Sequence, residues 1–186
     1  MQATSTEQRR SEPTVRVRAV SAEEAADRAA DLADILLDCV AGGASVSFMA
    51  PLSRDKAVAF WQQVADDVSR GERVLMVAED EASGLLVGTA QLVLGLPENQ
   101  PHRADVSKVL VRRQARNRGI GAALMTAIED AARAAGKTLL VLDTASAEAE
   151  RLYQRSGWVH VGVIPGYALL PDGTPCDTAY YYKRLD

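Results

Sequence analysis

Ser107-Lys-Val-Leu-Val-Arg-Arg-Gln-Ala-Arg-Asn-Arg-Gly-Ile-Gly-Ala122 is the stretch on which the reading of this chain turns. An apolar, strand-like start runs through a basic loop into Gly119-Ile120-Gly121, where a helical pattern begins. Glycines at that position let the backbone bend tightly and approach a ligand without side-chain obstruction. The free N–H groups of the first helical turn point outward, and the helix dipole favours negative charge beside them. Successive amides in such a loop form an anion-holding concavity, to which Arg116 and Arg118 add charge. A pyrophosphate is the natural occupant. Two rival phosphate motifs do not match. A P-loop needs GxxxxGK[ST], and a dinucleotide fingerprint needs GxGxxG, whose third glycine position is Leu124 here. Asp143 does end the next strand, as the ribose-binding acid of that fingerprint does. The basic loop between Val111 and Gly119, however, replaces the direct strand-to-glycine turn.

Working outward from this segment, a long helix is expected from about Gly119 to Ala135. Ile120, Ala123, Leu124, Ala127, Ile128 and Ala131 repeat on its buried side, and Gly136 closes it. Upstream, Thr14–Val20 alternates apolar and polar residues, the period-2 pattern of a half-buried strand. Ser21 with Glu24 reads as a capping box opening one helix to Gly42-Gly43, and Ser53 opens another to Gly71. The loop between them, Ser45–Leu52, is unusually apolar. Arg73–Ala78, Leu85–Leu96 and Ala104–Val111 read as three strands, the first two a hairpin. Downstream, Thr138–Leu142 is a strand covered on both faces, and Ala147–Arg155 is a helix. Trp158–Ile164 and Ala179–Lys183 are strands joined through Pro171-Asp172-Gly173, a turn signal. Strands and helices in this order make a mixed α/β domain, not a regular βαβ array.

Composition narrows the classes further. The 186 residues suit one domain, expected over 14–186 behind a disordered polar leader, 1–13. A net charge of −4 argues against nucleic acid as partner. No apolar run reaches the ~18–20 residues of a membrane span, and no signal peptide is recognisable, so the expected location is cytoplasmic. Cys39 and Cys176, with only His102 and His160 as imidazoles, are too few and too scattered for a cysteine-rich zinc site. Both read as free thiols, and no metal is expected.

Arg116-x-x-Gly119-x-Gly121-Ala122 resembles the Q/R-x-x-G-x-G/A signature with which GNAT-superfamily N-acetyltransferases hold the pyrophosphate of acetyl-CoA. Val109-Leu110-Val111 resembles the strand that pairs with the pantetheine arm in that family. Ser146-Ala-Glu-Ala-Glu-Arg-Leu-Tyr-Gln-Arg-Ser-Gly-Trp158 is similar to the family segment N-x-x-A-x-x-L-Y-x-x-x-G-F, with serine and tryptophan where asparagine and phenylalanine are common. The resemblance covers nearly the whole chain. It implies a GNAT-like α+β fold with a central, mixed but mostly antiparallel sheet of about seven strands flanked by four helices. It also implies acetyl-CoA as cosubstrate, held by Val109, Leu110, Val111, Arg116, Asn117, Arg118, Gly119, Ile120, Gly121, Ala122, Ser146 and Tyr153. By the same resemblance Tyr153 is the general acid for the departing CoA sulfur, and a backbone N–H near Leu110–Val111 holds the oxyanion.

The reaction so implied sets its own demands. An alkyl amine titrates near 10.4 and arrives protonated, so a carboxylate must take its proton. Asp105 and Asp143, at the beginning of one strand and the end of its neighbour, are both candidates. A thiol near 8.5 and a phenol near 10 are matched well enough for Tyr153 to donate to the leaving group. Neither cysteine sits in a nucleophile's setting, so direct transfer within a ternary complex is expected. Substrate contacts are expected from Phe48, Trp61, Asp105, Asp143 and Tyr167, with Trp61 equally readable as core. Phe48–Leu52, Leu142–Thr144 and Ile164–Ala168 are similar to the tabtoxin-resistance subgroup of the family, which implies a small amino-acid-like amine as acceptor. Alternatives are a protein lysine or N-terminal acetyltransferase and a non-catalytic acetyl-CoA-binding regulator. A homodimer is expected by analogy.

Overall fold

The computed structural model describes residues 14–186, and the leader expected over 1–13 lies outside the described residues. The alternating opening segment forms strand β1 (Val15–Ala19), followed by helices α1 (Ala22–Asp27), α2 (Ala29–Ala41) and α3 (Arg54–Ser69). Three consecutive strands follow, β2 (Arg73–Asp80), β3 (Leu86–Val93) and β4 (Arg103–Val111). Helix α4 (Ile120–Ala134), strand β5 (Leu139–Thr144), helix α5 (Ala147–Arg155) and the closing hairpin β6 (Val159–Leu169) and β7 (Pro175–Arg184) complete the chain. The seven strands make one sheet in the order β1-β2-β3-β4-β5-β7-β6. Every neighbouring pair is antiparallel except β4 with β5.

Alternation along β2 sends side chains into two separate cores. Leu75 and Val77 join Leu32, Ile35, Leu36, Trp61 and Val64 beneath α2 and α3. Met76 and Ala78 face Ile120, Leu124, Met125 and Ile128 of α4 on the other side. Burial of each such Leu or Ile contributes about 1.5–3 kcal/mol, so the sheet is clamped from both faces.

Two local expectations change. The helix read as continuous from Ser21 is two, giving five helices rather than four. The break falls at Arg28 (φ −97°, ψ 16°), whose guanidinium is anchored to Glu79 at 2.9 Å and to the carbonyl of Gly84 at 2.8 Å. The capping box is also only half made. Ser21 Oγ accepts from the N–H of Glu24 at 3.1 Å, but the Glu24 carboxylate is bound by Arg18 at 2.6 and 2.8 Å. A tertiary ion pair outcompetes the reciprocal cap there.

Candidate active site

The site begins with a defect in the sheet. Thr89 of β3 pairs with Leu110 and Gln91 with Ser107, so Lys108 and Val109 stand opposite the single residue Ala90. That is a β-bulge, which bends its strand and increases the local twist. Lys108 accommodates it at φ +49°, and its carbonyl accepts from Thr89 Oγ1 at 2.9 Å. On its other edge β4 pairs with β5 only through Arg103–Asp105 and Leu139–Val141. Beyond Asp105 the two strands part. A cleft of about 510 Å³ opens between them, lined by Val106–Val111 on one side and Asp143–Ser146 on the other.

The basic loop crosses the end of this opening, and its arginines divide by task. Arg112 donates to the carbonyl of Leu86 at 2.8 Å, and Arg113 binds Asp38 through its side chain at 2.9 Å and its backbone N–H at 2.8 Å. These two hold the loop in place. Arg116 lines the cleft and donates from Nε to the carbonyl of Val111 at 3.4 Å. Asn117 (φ +61°) and Gly119 (φ +76°) both adopt left-handed backbone, which turns the chain sharply into α4. Ala123 N–H closes the first helical bond on the carbonyl of Gly119 at 3.1 Å. The amides of Ile120, Gly121 and Ala122 therefore lack an intrahelical acceptor at residues that line the cleft.

Of the twelve residues expected at the cofactor, eleven line this cleft; Arg118 is not among its lining residues. Ser146 caps α5, its Oγ accepting from Ala149 N–H at 3.3 Å. Tyr153 projects from α5 between Trp158 and Tyr181, at ring-centroid distances of 6.0 and 5.9 Å. Burial pushes its hydroxyl well above the ordinary phenol range, with the Asp143 charge adding to the shift. It therefore stays protonated at neutral pH.

The two candidate carboxylates are not equivalent. Asp143 lies on the cleft wall, and burial raises its pKa, opposed by the charge of Lys108 and reinforced by that of Asp105. Asp105 lies outside the cleft lining and is ion-paired with Arg103 at 2.5 Å. A second hollow adjoins the first, sharing Ser45, Ser47, Asp143 and Ala145 with it, and here Phe48 and Tyr167 both line the wall. Trp61 does not reach either hollow. It is wholly buried, edge-on to Phe60 at 5.1 Å, and Phe60 in turn meets Phe48 at 5.3 Å. The helical stripe that carries Trp61 takes it into the core, so its expected substrate contact is corrected to support from behind.

One residue that lines the cleft, Lys108, and one that flanks it, Tyr180, have no sequence signal. Lys108 owes its place to the bulge, which a lysine does not announce. Tyr180 faces Asp143 across the β5–β7 pair and packs edge-on to Tyr167 at 5.8 Å. Its hydroxyl is pushed up to about 12, first by its hydrogen bond with Tyr167 and then by burial. Cys39 and Cys176 are both free. Among the described residues no group of three or more His, Cys, Asp or Glu is placed to hold a metal, and no helix is long and apolar enough to cross a membrane.

The acetyltransferase (GNAT) family model matches residues 33–158. The chain belongs to that family. An Azospirillum brasilense protein described as an uncharacterized N-acetyltransferase in the hisH-hisA intergenic region is 34% identical over 115 residues, 61% of this chain. That match spans 66% of the relative, just under two thirds of its length. Among solved structures, an N-acetyltransferase from Staphylococcus aureus Mu50 superposes with a TM-score of 0.75 at 23% identity, covering 93% of this chain and 99% of that one. A ribosomal-protein-alanine N-acetyltransferase from Brucella melitensis gives 0.77 at 22%, covering 91% and 99%. A phosphinothricin acetyltransferase from Sinorhizobium meliloti, solved with AcCoA, gives 0.74 at 19%, covering 92% and 89%. At these identities the GNAT likeness speaks to the fold, and the mixed seven-stranded sheet is the expected one.

Proposed function

We propose that this GNAT chain transfers the acetyl group of acetyl-CoA to the primary amine of a small molecule, by direct attack within a ternary complex. One observation carries the reading. The parting of β4 from β5 sets the amides of Ile120–Ala122, the hydroxyl-bearing Tyr153 and the carboxylate of Asp143 along a single cleft. The residues fit the cofactor. A Cβ at Gly119 would meet nothing within 4 Å, so the approach to the amides is open, and Arg116 supplies a cation beside them. Between Val106 and Val111, β4 has no β5 partner, which leaves backbone groups on that edge for an extended amide-bearing arm.

Acetyl-CoA supplies the thioester whose acyl carbon the amine attacks. Asp143 takes the proton from the ammonium, since its raised pKa makes it a stronger base than an ordinary aspartate. As the new C–N bond forms and the C–S bond breaks, Tyr153 gives its proton to the departing sulfur. Backbone N–H groups at the parted edge of β4 are the candidate donors to the oxyanion. Asp105, held by Arg103, acts on Asp143 only through its charge.

The neighbours' names include both a ribosomal-protein alanine and phosphinothricin, so the fold does not choose between protein and small-molecule acceptors. The small-molecule reading is supported by the second hollow, whose walls include Phe48, Met49 and Tyr167. It is supported also by the similarity of this region to the tabtoxin-resistance subgroup. The test is release of free thiol from acetyl-CoA across a panel of amines, amino acids and peptides. Release with small amines alone is the expected result. Release confined to peptides would select the protein-modifying alternative, and binding without release across the panel would select a regulator.

A further inference from the structure

Strand β6 carries a defect of its own, at the end of the strand order, with β7 as its single neighbour among the described residues. Ile164 pairs with Thr178 and Ala168 with Cys176, so Pro165, Gly166 and Tyr167 stand opposite the one residue Asp177. A bulge with surplus residues bends its strand and re-aims a side chain. Here a side chain from the facing strand ties it down. Pro165 has no N–H to give, and Gly166 sits at φ +60°, a conformation that glycine adopts without steric cost. The N–H of Gly166 donates to Asp177 Oδ1 at 2.8 Å. The side chain that the bulge re-aims is Tyr167, which lines the smaller hollow and stands edge-on to Tyr180 at 5.8 Å.

The other wall of that hollow is the loop between α2 and α3, with Ser45, Ser47, Phe48 and Met49, and it is pinned separately. Ser45 Oγ donates to the carbonyl of Leu169 at 3.4 Å, and Ala50 N–H to that of Pro171 at 2.9 Å. Because this loop is fastened to the hairpin beyond the bulge, the free width of the hollow depends on how far Tyr167 stands out from β6. The space enclosed is about 330 Å³, at the small end of the ligand-pocket range of about 300–1,000 Å³. We propose that Tyr167 sets an upper limit on the size of the acceptor amine, and that Asp177 is the positioning residue that holds it there through the N–H of Gly166. A compact amine fits beneath the ring with its nitrogen at Asp143, and a bulkier one meets the phenol first. The carboxylate-to-amide bond is charge-assisted, and a positioned group displaced by about 1 Å can cost up to about 10²-fold in rate. The inference rests on the acetyl-transfer reading above and adds a specificity determinant to it.

The experiment measures kcat/KM, with acetyl-CoA as donor, for alkylamines from ethylamine to octylamine and for amino acids from alanine to tryptophan. In the wild type the value is expected to fall at least tenfold from the best member of a series to the largest. In Tyr167→Ala that fall should shrink at least fivefold, with KM for acetyl-CoA unchanged. Asp177→Ala should relax the profile in the same way. Asp177→Asn, whose amide oxygen can still accept from Gly166, should keep the wild-type discrimination, a contrast that a merely structural role would not produce. Should Asp177→Ala fold poorly, Tyr167→Ala and Asp177→Asn still decide the matter. A wild type indifferent to acceptor size, discrimination that survives Tyr167→Ala or Asp177→Ala, or a relaxed profile in Asp177→Asn would overturn the proposal. Calorimetry with acetyl-CoA separates the two levels. No binding by the wild-type chain removes the acetyl-transfer reading itself, whereas binding and turnover without size dependence remove only the size limit.

Discussion

Among the described residues Tyr153 is held by rings rather than by polar partners, between Trp158 and Tyr181, so removing its hydroxyl should cost chemistry and little structure. Tyr153→Phe is expected to lower kcat by about 10²-fold or more, the range for loss of a positioned general acid. KM for acetyl-CoA should change little, which steady-state kinetics will separate. Asp143 supports a pH argument. Its folded-state pKa is raised by burial, so the acid limb of kcat/KM should lie above the ordinary aspartate value near 3.9, and in Asp143→Asn that limb should vanish with most of the activity. Stability carries the same sign. A raised folded-state pKa means that the fold favours the protonated acid; its favourable contribution is complete below the unfolded value and lost as pH rises through the folded one. Asp143→Asn should accordingly melt higher than the wild type at pH 7, with the difference shrinking towards pH 4.

At the scale of elements, two glycines set how closely helices approach the cleft. A Cβ at Gly88 would meet the carbonyl oxygen of Leu110 at 2.9 Å and the side chains of Leu124 and Ile120 at 3.1 and 3.3 Å. Backbone cannot yield as a side chain can, so Gly88→Ala should destabilise by about 1–3 kcal/mol, as overpacking does, measured by denaturant unfolding. At Gly121 the new atom would meet only Leu152 Cδ2, at 3.0 Å. There the α4–α5 contact can adjust, and the effect should fall on the position of α5 and of the Tyr153 it carries. Gly121→Val is therefore expected to reduce kcat more than it reduces the melting temperature.

Across the whole molecule, one partly buried ion pair ties α4 to the closing hairpin. Lys183 Nζ reaches Glu129 at 2.7 and 2.8 Å and the carbonyl of Ser156 at 2.7 Å, while Trp158 Nε1 donates to Glu129 at 3.2 Å. Glu129→Ala would leave the indole N–H without its acceptor and Lys183 with only the carbonyl of Ser156, and should cost about 1–3 kcal/mol in chemical denaturation. The cofactor acts at the same scale, because the cleft is made by both halves of the sheet and vanishes on unfolding. Acetyl-CoA at 100 times its Kd should stabilise the fold by about 2.7 kcal/mol. For a chain of this size that raises Tm by roughly 5–10 °C, and a flat thermal-shift titration would count against the cleft as its binding site.

The sequence alone was sufficient for what consecutive residues encode. The tight glycine turn into α4, its amide-bearing start and the placing of Tyr153 on α5 all depend on neighbours within a few positions. So does the element order, apart from the break at Arg28, because strand and helix periods are local. The tertiary structure decided the rest. Arg103–Asp105 meet Leu139–Val141 across more than thirty residues, and only that pairing shows where β4 and β5 part and which aspartate is left facing the cleft. Trp61 lies on a stripe that suits a core or a pocket equally, and packing against Phe60 chose the core. Lys108 entered the site through a bulge whose two-against-one register belongs to the pair of strands and not to either of them. Such features arise from long-range register and from which face is covered, and no single segment contains that information.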